Sequence, residues 1–300
     1  TQRKISNIGA QSSMKLEDIK TPSASLTTTL AGRLAGVVAV QRTGEPGKDA
    51  ADIWIRGIAT PNTATPLILV DGVERAFNDI DPEDIESLTT LKDASATAIY
   101  GVKAANGVIV ITTKKGKVGA PSVSYSLTGT FRQRPRYTDR AVNVMNSMER
   151  IAYSREAISA GWRMPSLGAW VGYEAAYSDY LNNKITYNEF VGKVSEMETA
   201  NTDWLGILLQ DTYSHNHTLS VSGGSENFRY YSSLSYMDEK GNTRGEGNKR
   251  YTAMTNLSVN YDKWDFRFGL NGNLQKKEYT PEDVGVANYA YNTSRSVPAY

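Results

Sequence analysis

The sequence contains no cysteine, which excludes disulfides, thiolate catalysis and cysteine-based metal sites. It also has no excess charge of either sign, because 33 basic residues balance 32 acidic ones and leave a net charge of +1. Nucleic-acid binding usually needs a basic patch or a high isoelectric point, so the composition gives no reason to expect it. No apolar run approaches the ~18–20 residues of a membrane helix, and the opening TQRKISNIGA lacks the apolar core of a secretory signal.

These absences do not exclude a membrane β-barrel, because its strands need only ~9–11 residues of alternating pattern. Tyrosine is abundant, with 18 residues against 6 phenylalanines. Its ring is apolar and its hydroxyl is polar, so tyrosine suits surfaces that are apolar on one side and wet on the other.

Three short motifs carry side chains that could bind a ligand, and each has a simpler explanation. His215-Asn-His217 could form a metal pair, since residues i and i+2 of a strand point the same way, but no third ligand accompanies it. GEPGKDA at 44–50 has Arg42 where the Walker pattern needs glycine and Asp49 where it needs Ser or Thr. A last, acidic set lacks the EF-hand spacing, and a solvated turn with a helix cap explains it: Asp79, Asp81, Glu83 and Asp84.

No Ser-His-Asp or paired-carboxylate arrangement can be assigned in the sequence. We therefore expect no enzyme activity, no metal and no cofactor.

Residues 24–119 are predicted to form an α+β unit of short strands and small helices. A leucine at every fourth position indicates one apolar stripe on a helix over 24–35. Asp81 is expected to cap a helical turn with Pro82 at its first position, and Asp93 to cap a helix that ends at Gly101. Apolar runs predict strands at 52–58, 66–73, 87–92 and 107–115.

After Pro121 the sequence changes to a strict alternation of apolar and polar residues. Tight turns (GGSEN, YDKWD) alternate with longer polar connections, which is typical of an outer-membrane barrel with short turns on one rim. A soluble β-sandwich would alternate similarly. The length of the strands and the charges on their polar faces favour the barrel. The predicted strands are 122–134, 217–224, 228–239, 250–264 and 264–277.

Three segments follow one another within residues 53–117: IWIRGI, PLILVDGV and DIESLTTLKDASATAIYGVKAANGVIVITTKKGK. In this order they resemble the plug domain of TonB-dependent outer-membrane transporters, and most closely their SusC/RagA branch. TDWL and SVSGGSENFRYYSSLSYMDEKG resemble early barrel strands of that branch, so the resemblance covers roughly 25–276. The matching plug positions, expected to be structural, are Arg56-Gly57, Asp71-Gly72, Lys92-Asp93, Tyr100-Gly101 and Asn106-Gly107.

The resemblance implies an α+β plug domain followed by antiparallel transmembrane strands of a 22-stranded β-barrel. The boundaries it suggests are an arm at 1–23, the plug at 24–119 and the first barrel strands at 120–300, with a long, partly helical loop at 136–213. The sequence supplies only about five such strands. We therefore expect it to be the N-terminal part of a longer protein.

By the same resemblance, the protein would import a nutrient across the outer membrane of a Gram-negative bacterium. The implied partners are a SusD-like surface lipoprotein, the TonB–ExbB–ExbD complex and outer-membrane lipid. An oligosaccharide is the expected substrate, with a peptide, as in the RagA type, as the alternative. A soluble or surface-attached β-rich binding module remains the rival hypothesis.

The sequence leaves two possible roles open for each of two sets of residues. Arg56, Asp71 and Glu74 would be either a functional charge set facing the barrel wall or ordinary turn and packing residues. The aromatic residues of the long loop would contact either the lipoprotein lid or the substrate, or else form the core of the loop itself. These candidates are Trp162, Trp170, Tyr173, Tyr177 and Trp204.

Overall fold

The computed structural model describes residues 11–15, 26–30, 32–55, 65–92, 100–164, 170–280 and 285–299. It divides the chain into two compact units. Unit 1 comprises Thr1–Phe131, Tyr213–Gly241 and Glu246–Glu278. Unit 2 comprises Arg132–Thr212, Asn242–Gly245 and Tyr279–Tyr300.

The N-terminal part of unit 1 is built on a five-stranded sheet, the N-terminal sheet, in the order β1-β6-β7-β4-β5. Its neighbouring strands are antiparallel except for the parallel pair β4–β7. The strands are β1 (Gln11–Lys15), β4 (Leu67–Val70), β5 (Val73–Glu74), β6 (Ile85–Leu91) and β7 (Val108–Thr113). Beside this sheet lie a hairpin of β2 (Val37–Val40) and β3 (Asp52–Ile55), helix α1 (Leu26–Thr29) and 3₁₀ turns at Phe77–Asp79, Pro82–Asp84 and Val102–Ala104.

A conventional apolar core holds this region together. Leu88 on β6 and Ile111 on β7 are fully buried, and they belong to one cluster with Leu30 and Ile53. Burying a side chain of this size contributes roughly 1.5–3 kcal/mol. The region therefore has a core of its own.

The rest of unit 1 is a second sheet of longer strands, the long-stranded sheet, in the order β12-β11-β10-β9-β8. The pairs β9–β10, β10–β11 and β11–β12 are antiparallel. The strands are β8 (Gly119–Arg132), β9 (Thr212–Gly224), β10 (Phe228–Lys240), β11 (Gly247–Tyr261) and β12 (Trp264–Glu278). Tight turns join β9 to β10 and β11 to β12, the second with Asp262 in the left-handed region at φ 51°.

Side chains alternate between the two faces of the long-stranded sheet, as the pleat requires. The inner face packs on the N-terminal region and is mainly polar: Ser233 is 3% exposed and Thr252 is 4% exposed. The outer face is mainly apolar: Leu234 is 62% exposed and Leu274 is 71% exposed. The sheet therefore buries its polar side and presents its apolar side.

Unit 2 contains the helices α2 (Ser147–Ser159), α3 (Gly172–Leu181), α4 (Tyr187–Ala200), α5 (Trp204–Leu208) and α6 (Val286–Asn292). Capping boxes start α2 at Asn146 and α4 at Thr186. In each, the capping side chain accepts from the backbone N–H of the glutamate three residues later, and that glutamate side chain accepts from the N–H of the capping residue. None of the helices in the described ranges is both long and apolar enough to span a membrane.

The predicted succession of a small α+β region and long alternating strands is confirmed. The helix predicted over 24–35 is too long, because within the described residues 26–30 and 32–35 only Leu26–Thr29 is helical. The chain then turns through Gly32 at φ 72° and Gly36 at φ 74°, and burial of Leu30 and Leu34 fixes that turn instead of a longer helix. Sequence periodicity also missed α3, α5 and α6. Helix α5 is too short to show a period, and α3 mixes glycine, tyrosine and acidic residues over its whole surface.

Candidate functional site

The inner face of the long-stranded sheet contacts the N-terminal region through polar groups, and this interface is the candidate functional site. Thr218 on β9 donates its hydroxyl to Asp81 Oδ2 at 3.1 Å, and Asn216 lies 3.4 Å from the same oxygen. Tyr231 on β10 donates its hydroxyl to Asp84 Oδ1 at 2.9 Å. Two carboxylates of the N-terminal region are thus held by neutral donors of the sheet.

The local sequence explains why both carboxylates reach this interface. Asp81 is the N-cap of the 3₁₀ turn Pro82–Asp84, accepts a hydrogen bond from Glu83 N at 2.8 Å, and has Pro82 at the first position, as predicted. Its second oxygen remains for the sheet. Asp84 is the last residue of this 3₁₀ turn, and its side chain also reaches the long-stranded sheet.

Asp81 and Asp84 are 0% and 1% exposed, so the predicted solvated turn at these two positions is wrong. The reason is that the polar inner face of the sheet covers them, which a local pattern cannot show. Burial raises the pKa of Asp84 to about 6, and the neighbouring Asp81 carboxylate adds to the rise. The hydrogen bond from Tyr231 opposes it. The Asp84 carboxyl therefore holds its proton to a higher pH than a solvent-exposed aspartate does.

A second polar connection runs from the turn after β4 to the sheet. Asp71 accepts hydrogen bonds from the backbone N–H of Thr113 at 3.1 Å and from the Thr113 hydroxyl. Asn256 on β11 donates to Thr113 Oγ1 at 2.8 Å and to Lys114 O at 3.0 Å. Asp71 therefore reaches the sheet through Thr113. Glu74 instead pairs with Lys103 at 2.7 Å, with both side chains more than half exposed.

The segment between the two sheets approaches β10 closely at Gly116. A Cβ atom at this position would overlap the backbone of Tyr230. Glycine is therefore required here by space. The connection between the N-terminal region and the first long strand is held against the sheet.

The remaining predicted plug positions have structural surroundings. The amine of Lys92 donates to Ala35 O. Gly107 has φ 92°, and a Cβ there would meet Ile55 at 2.8 Å. Gly72 and Gly101 also have positive φ, at 90° and 69°, while Tyr100 is exposed and Asn106 is partly buried. The predictions for Arg56, Gly57 and Asp93 fall outside the described residues.

The two histidines lie on the outer face of the long-stranded sheet. Their ring centroids are 4.9 Å apart, and Nδ1 of His217 lies 2.6 Å from the hydroxyl of Tyr125. In the described part of the chain, no three or more His, Cys, Asp or Glu residues come together as a metal site. In the acidic set, Asp79 accepts from Asn273 of β12 at 3.3 Å.

The aromatic candidates of the long loop lie in unit 2 and have different surroundings. Tyr173 is buried with Ile151 and Val194, and it stacks on Tyr177 with centroids 6.1 Å apart. Trp204 is 8% exposed and donates its indole N–H to Ser294 O at 3.0 Å. Trp162 is 44% exposed and meets Trp170 edge to face at 6.1 Å. Their role in contacts with a lid or substrate stays a prediction.

Sequence reasoning missed the sheet side of the interface. Thr218, Tyr231 and Asn256 were not distinguished from other polar residues of the alternating strands. A weak signal exists at Tyr231, an aromatic ring on the face of β10 that also holds Arg229, Ser233 and Ser235. What it contacts depends on a pairing 147 residues apart, which no local pattern encodes.

Comparison with known proteins agrees with this architecture. Residues 3–108 match the family described as "TonB-dependent Receptor Plug Domain". TonB-dependent receptor SusC of Bacteroides thetaiotaomicron is 34% identical over 86% of this chain, which covers 23% of SusC. TonB-dependent receptor P26 of Formosa agariphila is 32% identical over the whole chain, which covers 28% of P26.

Among solved structures, the RagAB peptide importer in its "closed-closed" state superposes with a TM-score of 0.73 at 26% identity. The match covers 90% of this chain and 31% of that one. The chain thus spans about a quarter of the length of these curated relatives.

A plug domain that packs on the polar side of a sheet of long, outwardly apolar strands defines the class of TonB-dependent receptors, which are outer-membrane β-barrel proteins. Within that class, this chain belongs to the SusC/RagA family. The relatives named above are receptors and transporters, not enzymes. The described contacts of the site hold the N-terminal region against the long-stranded sheet.

Proposed function

We propose that the protein acts in the outer membrane of a Gram-negative bacterium as a TonB-dependent importer. The observation that carries this proposal is the reversed polarity of the long-stranded sheet. Leu234, Leu270 and Leu274 are each more than 60% exposed on the outer face, whereas most of the side chains buried on the inner face are polar, among them Ser233 and Thr252. Such a sheet suits hydrocarbon outside and a polar lumen inside. A soluble β-rich module would place these leucines in its core.

The polar interface supports a plug that rearranges. Asp81, Asp84 and Thr113 contact the sheet through hydrogen bonds to neutral side chains. When such groups separate, water can replace each partner, so the net cost is about 0.5–1.5 kcal/mol for a hydrogen bond between neutral groups and about 1.5–3 kcal/mol for one to a carboxylate. The apolar core of the plug would stay intact during this movement because it lies within the plug.

The proposed partners are the TonB–ExbB–ExbD complex on the periplasmic side and a SusD-like lipoprotein over the extracellular mouth. The resemblance of the sequence motifs to the SusC/RagA branch favours an oligosaccharide as substrate. The structural likeness to the RagAB peptide importer favours a peptide as the second candidate. The exposed Trp162 is the aromatic loop residue best placed to meet either the lid or the substrate.

Uptake by living cells tests the proposal. Cells that carry the full-length protein are given labelled oligosaccharides or labelled peptides, with and without a proton-motive force. We expect one substrate class to accumulate only in energised cells that have TonB. Deleting the region upstream of Gln11, which leaves β1 in the N-terminal sheet, should abolish accumulation because TonB would lose its point of contact.

The matched control is Tyr187→Ala, an exposed residue on α4 of unit 2, which should leave uptake unchanged. Unchanged, energy-dependent uptake in the deletion would contradict the proposal. Recovery of the full-length protein in the soluble fraction would support the binding-module alternative.

A further inference from the structure

The outer face of the long-stranded sheet carries a groove of about 610 Å³ that the importing function does not use. The smallest side chains that line it are Ala253 and Gly272, which are directly opposite each other on β11 and β12. A Cβ atom at Gly272 would meet nothing within 4 Å, and no positive φ requires glycine there. Among the described residues, no side chain fills the space beside Gly272, and the groove is open there.

Strand register places a row of rings along one border of this groove. Tyr236 is paired with His217 on one side and with Tyr251 on the other. The Tyr236 and Tyr251 rings lie 4.9 Å apart, and Tyr125 extends the row through its hydroxyl contact with His217. We call these four residues the aromatic row. Rings with polar tips suit a layer between hydrocarbon and head groups.

Two residues further along each strand, about 7 Å away, the same face becomes charged. Lys249 and Lys276 are directly opposite each other, with Asp238 beside Lys249 on β10. The Lys249–Asp238 distance is 4.0 Å, and Lys276 pairs with Glu278 at 2.9 Å. Both lysine side chains are at least half exposed, and such surface pairs contribute little, so each lysine remains able to bind an anion. Lys240 adds a further positive charge at the end of β10.

The charged end of the groove is the end at which the longer connections leave the strands. The connection from β8 to β9 contains most of unit 2, and the tight turns lie at the opposite end. In outer-membrane barrels the longer loops are extracellular. Given the proposed function, on which this step rests, the groove opens into the outer leaflet.

We propose that this groove binds lipid A, the phosphorylated and acylated glucosamine lipid of the outer leaflet. One acyl chain lies over Ala253 and Gly272, the sugar rings lie against the aromatic row, and a phosphate contacts Lys249 and Lys276. A glycerophospholipid shares the phosphate and the acyl chains but has no sugar ring for Tyr236 and Tyr251. The order of apolar, aromatic and cationic layers therefore favours the glycolipid.

The test uses the full-length protein in mild detergent, with lipid A binding measured by native mass spectrometry. The double variant Lys249→Gln/Lys276→Gln removes the cations, and Gly272→Leu fills the groove. We expect each to weaken lipid A binding by about tenfold or more, an ordinary loss for a main contact. The matched controls are Lys263→Gln, a lysine in the tight turn at the other end of the sheet, and Val259→Leu, on the outer face away from the groove. Both should bind lipid A like the parent protein.

Phosphatidylglycerol, phosphatidylethanolamine and inorganic phosphate are measured in parallel to separate the sources of the phosphate. Weak binding of all three, unaffected by the substitutions, would support the proposal. Equal loss of lipid A binding in the controls, no loss in the groove variants, or displacement of lipid A by phosphatidylglycerol at equal concentration would overturn it. Energised uptake measured on the same variants is expected to be unchanged, so loss of lipid binding and failure of the importer are distinguishable.

Discussion

The two sheets of unit 1 distribute polarity in opposite ways. In the N-terminal sheet, Leu88 and Ile111 are fully buried, as in any water-soluble domain. In the long-stranded sheet, Thr252 is buried and Leu274 is 71% exposed. Both sheets alternate with the same period of two, so the period alone does not decide which face is covered. For the proposed outer-membrane protein, the medium that each face meets explains the difference: water surrounds the N-terminal region (the plug), and hydrocarbon surrounds the long-stranded sheet (the wall).

This difference also separates two kinds of stabilisation. The plug is held together by apolar burial, which is lost only when the plug unfolds. The plug is held to the wall by hydrogen bonds at Asp81, Asp84 and Thr113, which water can replace. Under the proposed function, the plug would therefore remain folded while it separates from the wall.

The largest expected effect comes from removing core volume in the plug. Leu88→Ala should lower the local free energy of unfolding by about 2–5 kcal/mol, because a fully buried leucine leaves a cavity. Hydrogen exchange of the β6 and β7 amides in the full-length protein measures this. The same change at the exposed Leu274 should leave that exchange unaltered. Similar effects at both positions would show that the two sheets do not differ as described.

A charge placed on either face of β12 tests the wall. Leu270 is 61% exposed on the outer face, and its neighbour Asn271 faces the other way. Leu270→Arg should cost about 2–4 kcal/mol if it lies near the bilayer midplane, whereas Asn271→Arg should be tolerated. The amount of heat-modifiable, folded barrel in outer-membrane fractions reports the outcome. Equal insertion of both variants would argue against lipid contact at the outer face.

Acidity should strengthen the contact between plug and wall. The pKa of Asp84 is raised from 3.8 to about 6, so its folded-state value lies above its unfolded one. The stabilisation of the contact by the protonated Asp84 carboxyl is then complete below pH 3.8. It is lost as the pH rises through about 6, and its upper limit is about 3 kcal/mol. Hydrogen exchange at residues 85–91, followed from pH 4 to 8 after correction for the intrinsic rate, measures the change. Asp84→Asn, which can still accept from Tyr231, should remove this pH dependence, and a persistent dependence would assign it to another group.

Much of this architecture can be predicted from the sequence because it is local. The alternation after Pro121 and the tight turns give the strands, and Asp81-Pro82 gives the capped turn. The order of plug motifs gives the family. Helix α1 was overestimated because leucine spacing cannot show that Leu30 and Leu34 become buried outside a helix.

The interface could not be predicted in the same way. Asp84 meets Tyr231, and Thr113 meets Asn256, across more than a hundred residues of sequence. Acidic residues near a proline look like a solvated turn until the partner surface is known. Their burial depends on the polar face of a distant sheet, and alternation shows that such a face exists without showing what it covers.

The smallest effects should separate the two interpretations of the plug charges. Asp71→Asn removes the acceptor charge that orients Thr113, through which Asn256 contacts the plug, and should weaken plug–wall contact by about 1–3 kcal/mol. Glu74→Gln removes only an exposed pair with Lys103, for which about 0.2–1 kcal/mol is the usual limit. Chemical crosslinking between the plug and β11, compared for the two variants, tests this order. A larger loss of crosslinking in Glu74→Gln would mean that the exposed pair, rather than the path through Thr113, holds this edge of the plug to the wall.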